Sequence, residues 1–255
     1  MAQPTYGAHV IVLRKTKLAE SDLVLTMLAE DGSQLRAVAK GARKPTSSFS
    51  ARLELYSEAE VLMARGKSLD IVKEARLVES NEAVRRDMEH AAGAAPMAEL
   101  LDRVTLDGLE NPRLFALTQV ALASLGRVDA QRVPKICAAH LLKTLAYVGL
   151  RPSLRLCVGC GRELPIEGQG EVCFSFRDGG VVCPFCRSSC EVVFLPNETL
   201  VLADRLLHQT FAALEEEPAD TSCSLGVLQF CGQWIREHVG ARMKSLDFIF
   251  ESGLF

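Results

Sequence analysis

Two cysteine pairs, Cys157-Val158-Gly159-Cys160 and Cys183-Pro184-Phe185-Cys186, are separated by 22 residues. Each C-x2-C turns two thiolates the same way, so two such knuckles can converge four sulfurs on one cation. Tetrahedral Zn²⁺, with bonds of roughly 2.3 Å, is the expected occupant. Four thiolates leave no open position for water or substrate. The expected role is therefore structural, one Zn²⁺ per chain, stapling a segment too loop-rich to hold itself together. Two further cysteines keep the ligand set open, since Cys190 follows Cys186 closely and Cys173 lies between the pairs. A zinc deaminase is excluded, because none of the five histidines begins the H-x-E that supplies its general acid/base. A thiol oxidoreductase using Cys183 and Cys186 is the enzymatic alternative. It needs a thiolate at the start of a long helix, whereas Arg187-Ser188-Ser189-Cys190 leads to a short apolar run and Pro196. Cys137, Cys223 and Cys231 fall in helical patterns and read as buried apolar residues.

A second cluster carries charge rather than metal ligands. Strand alternation puts Arg36 and Lys40 on one face, and Arg43 and Lys44 follow in a turn around Gly41. Glycine lets the backbone bend and approach a ligand closely. Arg14, beside Lys15 and Lys17, ends an earlier apolar run, and Arg52 lies beyond the serines at 47, 48 and 50. Such cations can track the phosphates of a nucleic-acid strand, with Phe49 and Tyr56 as candidates for stacking on bases. The competing reading is a solvated, solubilising loop.

The remaining signatures exclude more than they suggest. Gly66-Lys67-Ser68 imitates the end of a phosphate-binding loop, but Val61 stands where that loop needs its first glycine. No serine, threonine or histidine forms a recognisable nucleophile–base pair, so no enzyme is expected. The formal net charge is −3, with 12 Lys/Arg against 10 Asp/Glu in residues 1–80 and 17 against 22 in the rest. That slight polarity makes the N-terminal part the better place for an anionic partner. No apolar run approaches the roughly 20 residues of a membrane span. The first residues, Met1-Ala2-Gln3-Pro4, lack a basic or apolar leader. The expectation is a cytoplasmic protein with no membrane partner.

These residues need elements to position them. Five apolar or alternating runs are expected strands: His9–Leu13, Leu23–Leu28, Leu35–Lys40, Leu55–Met63 and Leu69–Leu77. Five short antiparallel strands in about 80 residues suit a small closed barrel, which removes exposed edges. An SH3-like barrel is the competing small-barrel reading. From Asn81 the pattern becomes helical, with expected helices at 81–106, 112–125, 131–148, 197–216 and 224–238, and a short tail at 244–248. Residues 153–195, rich in cysteine, glycine and proline, interrupt the helices. The fold class is α+β and multi-domain: a barrel at 1–80 and a helical domain at 81–255 carrying the four-cysteine zinc module. Arg127, Arg132, Lys135 and Lys143 are candidates for the basic rim of a groove that docks an acidic, hydrophobic protein tail. Such a chain would be a zinc-stabilised interaction adaptor without significant DNA binding of its own.

Several stretches together resemble one family. Val12-Leu13-Arg14, Glu20-Ser21-Asp22-Leu23-Val24 and Ala37-Val38-Ala39-Lys40-Gly41-Ala42-Arg43-Lys44-Pro45 look like the N-terminus of the bacterial RecO recombination mediators. Ile71-Val72-Lys73-Glu74-Ala75, the cysteine pairs and Lys244-Ser245-Leu246-Asp247-Phe248 are similar to that family too, in the same order along the chain. The resemblance implies an OB-fold barrel, a helical C-terminal domain, a zinc module and no catalytic residue. It also implies binding of single- and double-stranded DNA and annealing of complementary strands. The implied partners are RecR, the C-terminal tail of single-stranded DNA-binding protein and, indirectly, RecA.

Overall fold

A computed structural model describes residues 4–255, which divide into two compact units between Gly126 and Arg127. The first unit begins with β1 (Thr5–Leu18), β2 (Asp22–Ala29), β3 (Gln34–Ala39), β4 (Glu58–Ala64) and β5 (Asp70–Glu79). They close into a barrel in the order β1-β2-β3-β5-β4, the arrangement of an OB-type fold. Closure depends on the unexpected length of β1, which pairs with β4 through Thr5–Ile11 and with β2 through Val10–Leu18. A bulge between Val12 and Arg14 bends the strand from one partner towards the other. Not every pairing is antiparallel as expected: β3 and β5 run parallel at Ala37↔Asp70 and Val38↔Ile71. The long 40–57 connection makes this possible by carrying the chain across before β4 begins.

Alternation decides what faces inward. Val10, Val12, Leu25, Met27, Ala37, Ala39, Val61, Met63 and Val72 fill the barrel, each no more than 3% exposed. Burying one such aliphatic side chain contributes roughly 1.5–3 kcal/mol. Two helices, α1 (Met88–Val104) and α2 (Pro112–Arg127), follow the barrel. Asp87 caps α1 by accepting from the His90 amide at 2.9 Å. The end of α1 is tied to the barrel, because Gln34 Nε2 donates to the carbonyls of Asp102 and Thr105. Glu58, buried at the start of β4, accepts from Gln119 Nε2 of α2 at 3.0 and 3.1 Å.

In the second unit α3 (Val133–Tyr147), α4 (Asn197–His208) and α6 (Thr221–His238) pack on one another. The expected 197–216 helix is two helices, because the Thr210 side chain accepts from the Ala213 amide and starts α5 (Phe211–Glu216) afresh. The 244–248 tail is helical as well: Leu246 and Ile249, spaced i,i+3, are buried on one side of α7 (Lys244–Ser252). Between α3 and α4 lie β6 (Glu171–Ser175), β7 (Gly180–Val181) and β8 (Val193–Pro196), a sheet in the order β7-β6-β8. Phe174 of this sheet and the neighbouring Phe176 pack against Phe230 and Trp234 of α6, with ring centroids 5.2–6.4 Å apart. Trp234 Nε1 donates to the Leu150 carbonyl at 2.9 Å.

Candidate nucleic-acid interface and metal centre

The basic segment is held by its backbone. Gly41 has φ +66°, a conformation that a residue with a Cβ adopts only under strain. Its N–H donates to the Asp22 carboxylate at 2.7 Å. The Arg43 amide donates to the Ser21 carbonyl at 2.9 Å, and the Arg43 guanidinium to the Ala19 and Glu20 carbonyls. Ala42, 3% exposed, belongs to the barrel core. The 40–44 turn is therefore fixed to the β1–β2 turn, with Lys40, Arg43 and Lys44 exposed. Asp22 carries the join: the hydrogen bond from Gly41, then that from Ser21, hold its carboxyl below the usual range, with Lys40 and Lys44 adding to the effect. The sequence signal for Asp22 was only a polar residue before a strand; its role depends on a turn 19 residues away.

The other barrel cations have different surroundings. Arg36 is exposed on β3, in a cross-strand row with Thr26 and Arg14. Arg14 is engaged: Nε lies 3.1 Å from the Asp102 carboxylate of α1, and Nη2 donates to Thr26 Oγ1. Arg52 donates to the Ala75 carbonyl at 3.1 Å and lines a groove of about 740 Å³ with Ser48, Phe49, Lys73 and Arg76. Lys73, which the sequence reading did not single out as a contact, is exposed on β5 and lines this groove. Of the two expected stacking residues, Tyr56 is 7% exposed, whereas Phe49 is half-buried at the groove.

The four paired cysteines do come together. The Sγ atoms of Cys157, Cys160, Cys183 and Cys186 all lie within 4.8 Å of one another, and those of Cys160 and Cys183 are 3.8 Å apart. A tetrahedral four-sulfur site with bonds of roughly 2.3 Å has edges of roughly 3.8 Å, so the donor set fits a thiophilic cation. Cys157 and Cys183 are buried, which opposes ionisation of Cys157. Backbone N–H groups of Cys183, Cys160 and Gly159 outweigh that burial and bring its thiol down to about 6. Cys186 is pushed the other way, to about 12, by its hydrogen bonds to Cys183 and Cys160 and by the charge on Cys157. Four thiolates cannot coexist at this distance without a cation among them. Gly159 is required for the close approach: a Cβ there would lie 2.9 Å from Cys186 Cβ and 3.0 Å from its Sγ.

Cys173 and Cys190 are outside the tetrad. Cys173 sits on β6 opposite Phe194, and burial followed by the Asp178 carboxylate raises the Cys190 thiol. The dithiol alternative loses its geometry, because Cys183, the thiol it would present, is fully buried. Cys137 and Cys231 are buried as expected, and burial raises both thiols. Cys223 is half-buried, with its Sγ 3.4 Å from the Glu198 carbonyl.

The candidate basic rim is spent on internal contacts. Arg127 pairs with Glu215, Arg132 with Asp129 and the Glu217 carbonyl, and Lys143 donates to the Leu207 carbonyl. Lys135 is 1% exposed, bound to the Pro218 carbonyl at 2.7 Å with Glu217 nearby. Of the four, Lys135 is buried, Arg132 and Lys143 are half-buried, and Arg127 stays exposed in its pair with Glu215.

Comparison with known proteins agrees with this architecture. Residues 1–81 match the family described as Recombination protein O N terminal, and residues 85–247 the one described as Recombination protein O C terminal. The chain belongs to the RecO family. A curated RecO relative from Desulfitobacterium hafniense, named DNA repair protein RecO, is 39% identical over 184 residues, 72% of this chain and 65% of the relative. The chain thus spans just under two thirds of that relative's length. RecO relatives of the same name from Symbiobacterium thermophilum and Cutibacterium acnes are 33% and 34% identical, over 73% and 72% of this chain and 73% and 75% of their own. No helix among the described residues is long and apolar enough to cross a membrane.

Proposed function

We propose that this chain is a non-enzymatic mediator of DNA repair and recombination, which binds single- and double-stranded DNA and helps complementary strands to anneal. The observation that carries the reading is the anchored turn at 40–44: backbone bonds fix it, and the ammonium groups of Lys40 and Lys44 stand exposed in solvent. Annealing requires two phosphate chains to approach, and a fixed basic surface lowers their repulsion without ATP. Arg36, Lys40, Arg43, Lys44 and Arg52 are the proposed phosphate contacts on a barrel at 1–80, with Arg14 contributing least because Asp102 holds it. Residues 81–255 are the proposed helical, partner-binding part. Zn²⁺ is the proposed metal, held by Cys157, Cys160, Cys183 and Cys186 in a structural role. The proposed partners are RecR, the C-terminal tail of single-stranded DNA-binding protein and, through them, RecA, in the bacterial cytoplasm at the nucleoid.

The test is equilibrium binding of labelled single strands across a salt series. Lys40→Ala/Arg43→Ala/Lys44→Ala is expected to weaken binding by at least tenfold at low salt. It should also flatten the log–log salt slope by about 2, since each lost single-strand phosphate contact removes about 0.7. Unchanged affinity and slope would remove this segment from DNA binding. An intact chain that binds no DNA at any salt would favour the adaptor reading.

A further inference from the structure

Around the metal knuckles, two phenylalanines are exposed, and each carries a guanidinium. Phe185, between the ligands Cys183 and Cys186, is 79% exposed, with the Arg162 guanidinium carbon 5.1 Å from its ring centroid. Phe194, on β8, is 48% exposed, with that of Arg187 at 4.8 Å. The four residues are linked through the metal-binding turns. Arg162 closes the first knuckle, its carbonyl accepting from the Cys157 amide at 2.8 Å. Arg187 directly follows Cys186 and reaches across to Phe194. A single exposed apolar residue needs no explanation. Here two rings and two cations alternate along residues 162–194, on the turns that bring the four cysteines together.

We infer that Phe185 and Phe194, with Arg162 and Arg187, form a second contact surface for single-stranded nucleic acid, on which bases stack and phosphates meet guanidinium groups. This rests on the reading that the chain binds DNA, and adds a surface outside the barrel. Each ring has one face towards its arginine and so keeps another face for a base, and the same guanidinium can reach a backbone phosphate. An apolar peptide side chain would instead need a recess. Neither ring lines the grooves beside Arg155 and Asp204 in the same unit. Paired bases present no free face, so the surface discriminates single strands from duplex.

The experiment uses the metal-loaded full chain with a labelled 30-nucleotide oligo-dT and a duplex of equal length. Phe185→Ala/Phe194→Ala is expected to lower oligo-dT affinity about tenfold, leave the salt slope unchanged and alter duplex binding less than twofold. Phe185→Trp supplies a reporter, because the one native tryptophan, Trp234, is only 2% exposed. Its added emission should be quenched by unlabelled oligo-dT, and this variant decides the matter if the alanine pair loses metal. Unchanged oligo-dT affinity in the alanine pair, while the Lys40/Arg43/Lys44 triple variant still weakens it, overturns this inference and leaves the barrel reading standing. Equal loss on duplex overturns it as well. Quenching by an acidic aromatic peptide but not by oligo-dT gives the surface to a protein partner. A wild-type chain that binds neither DNA removes both readings.

Discussion

The metal centre and the basic turn are both small sites built around a glycine, yet they are made in opposite ways. At the metal centre two of the four sulfur residues, Cys157 and Cys183, are buried, and the set is complete within residues 157–186. Gly159 is there because there is no room for a Cβ. At 40–44 the functional atoms are exposed, and the site is held by its backbone to residues 19–22. Gly41 is there because its φ is positive. A site whose donor atoms converge on one point depends on its own side chains. An exposed site that waits for a ligand depends on its anchors.

That contrast orders the expected effects of substitution. Cys183→Ser should be most damaging: stoichiometric metal is lost, melting no longer responds to chelators, and protease cuts appear within 151–196. Small zinc domains draw roughly 10 kcal/mol or more from their metal. The loss here should be smaller, because Phe174 and Phe176 also hold the module to α6. A mutant that keeps one metal per chain would break the comparison. Gly159→Ala should keep the fold but weaken metal binding roughly tenfold, the lower end for changes beside a metal's ligands, read by competition with a chromophoric chelator.

The turn should respond through its anchor. Asp22→Ala is expected to speed hydrogen exchange at the Gly41 amide while the barrel core stays protected. Acid should act similarly on the wild-type chain. The folded Asp22 carboxyl lies below its ordinary value, so its contribution is complete above that value and is lost as pH falls through the depressed one. Amide exchange followed down through the acidic range should show the loss at Gly41 in wild type and not in Asp22→Ala. The smallest effect is expected for Arg14→Ala. Its partly exposed pair with Asp102 contributes about 0–1 kcal/mol, so thermal melting should shift by a few degrees at most and DNA affinity by less than twofold. A large loss of affinity would make Arg14 a contact rather than a tie to α1.

Legibility followed the range of the interactions. The five strands and the C-x2-C pairs follow from local alternation and local spacing, and both stand in the structure. The reach of β1 past its apolar middle did not, because Arg14, Lys15 and Lys17 alternate only weakly and pair because β2 returns beside them. Lys135 looked like a surface cation because lysine usually is one. The Pro218 carbonyl, 83 residues away, lets it be buried. Tyr56 looked like a stacking residue for the same kind of reason.

The sequence alone determined which residues could be ligands, which strands could alternate and where charge could gather, since these follow from residue type and spacing of a few positions. Only the tertiary structure decided which cations stay available. Arg14, Arg127, Arg132 and Lys135 are matched with carboxylates or carbonyls that lie close only after folding. Lys40 and Lys44 stay exposed because backbone bonds hold their turn against the β1–β2 turn.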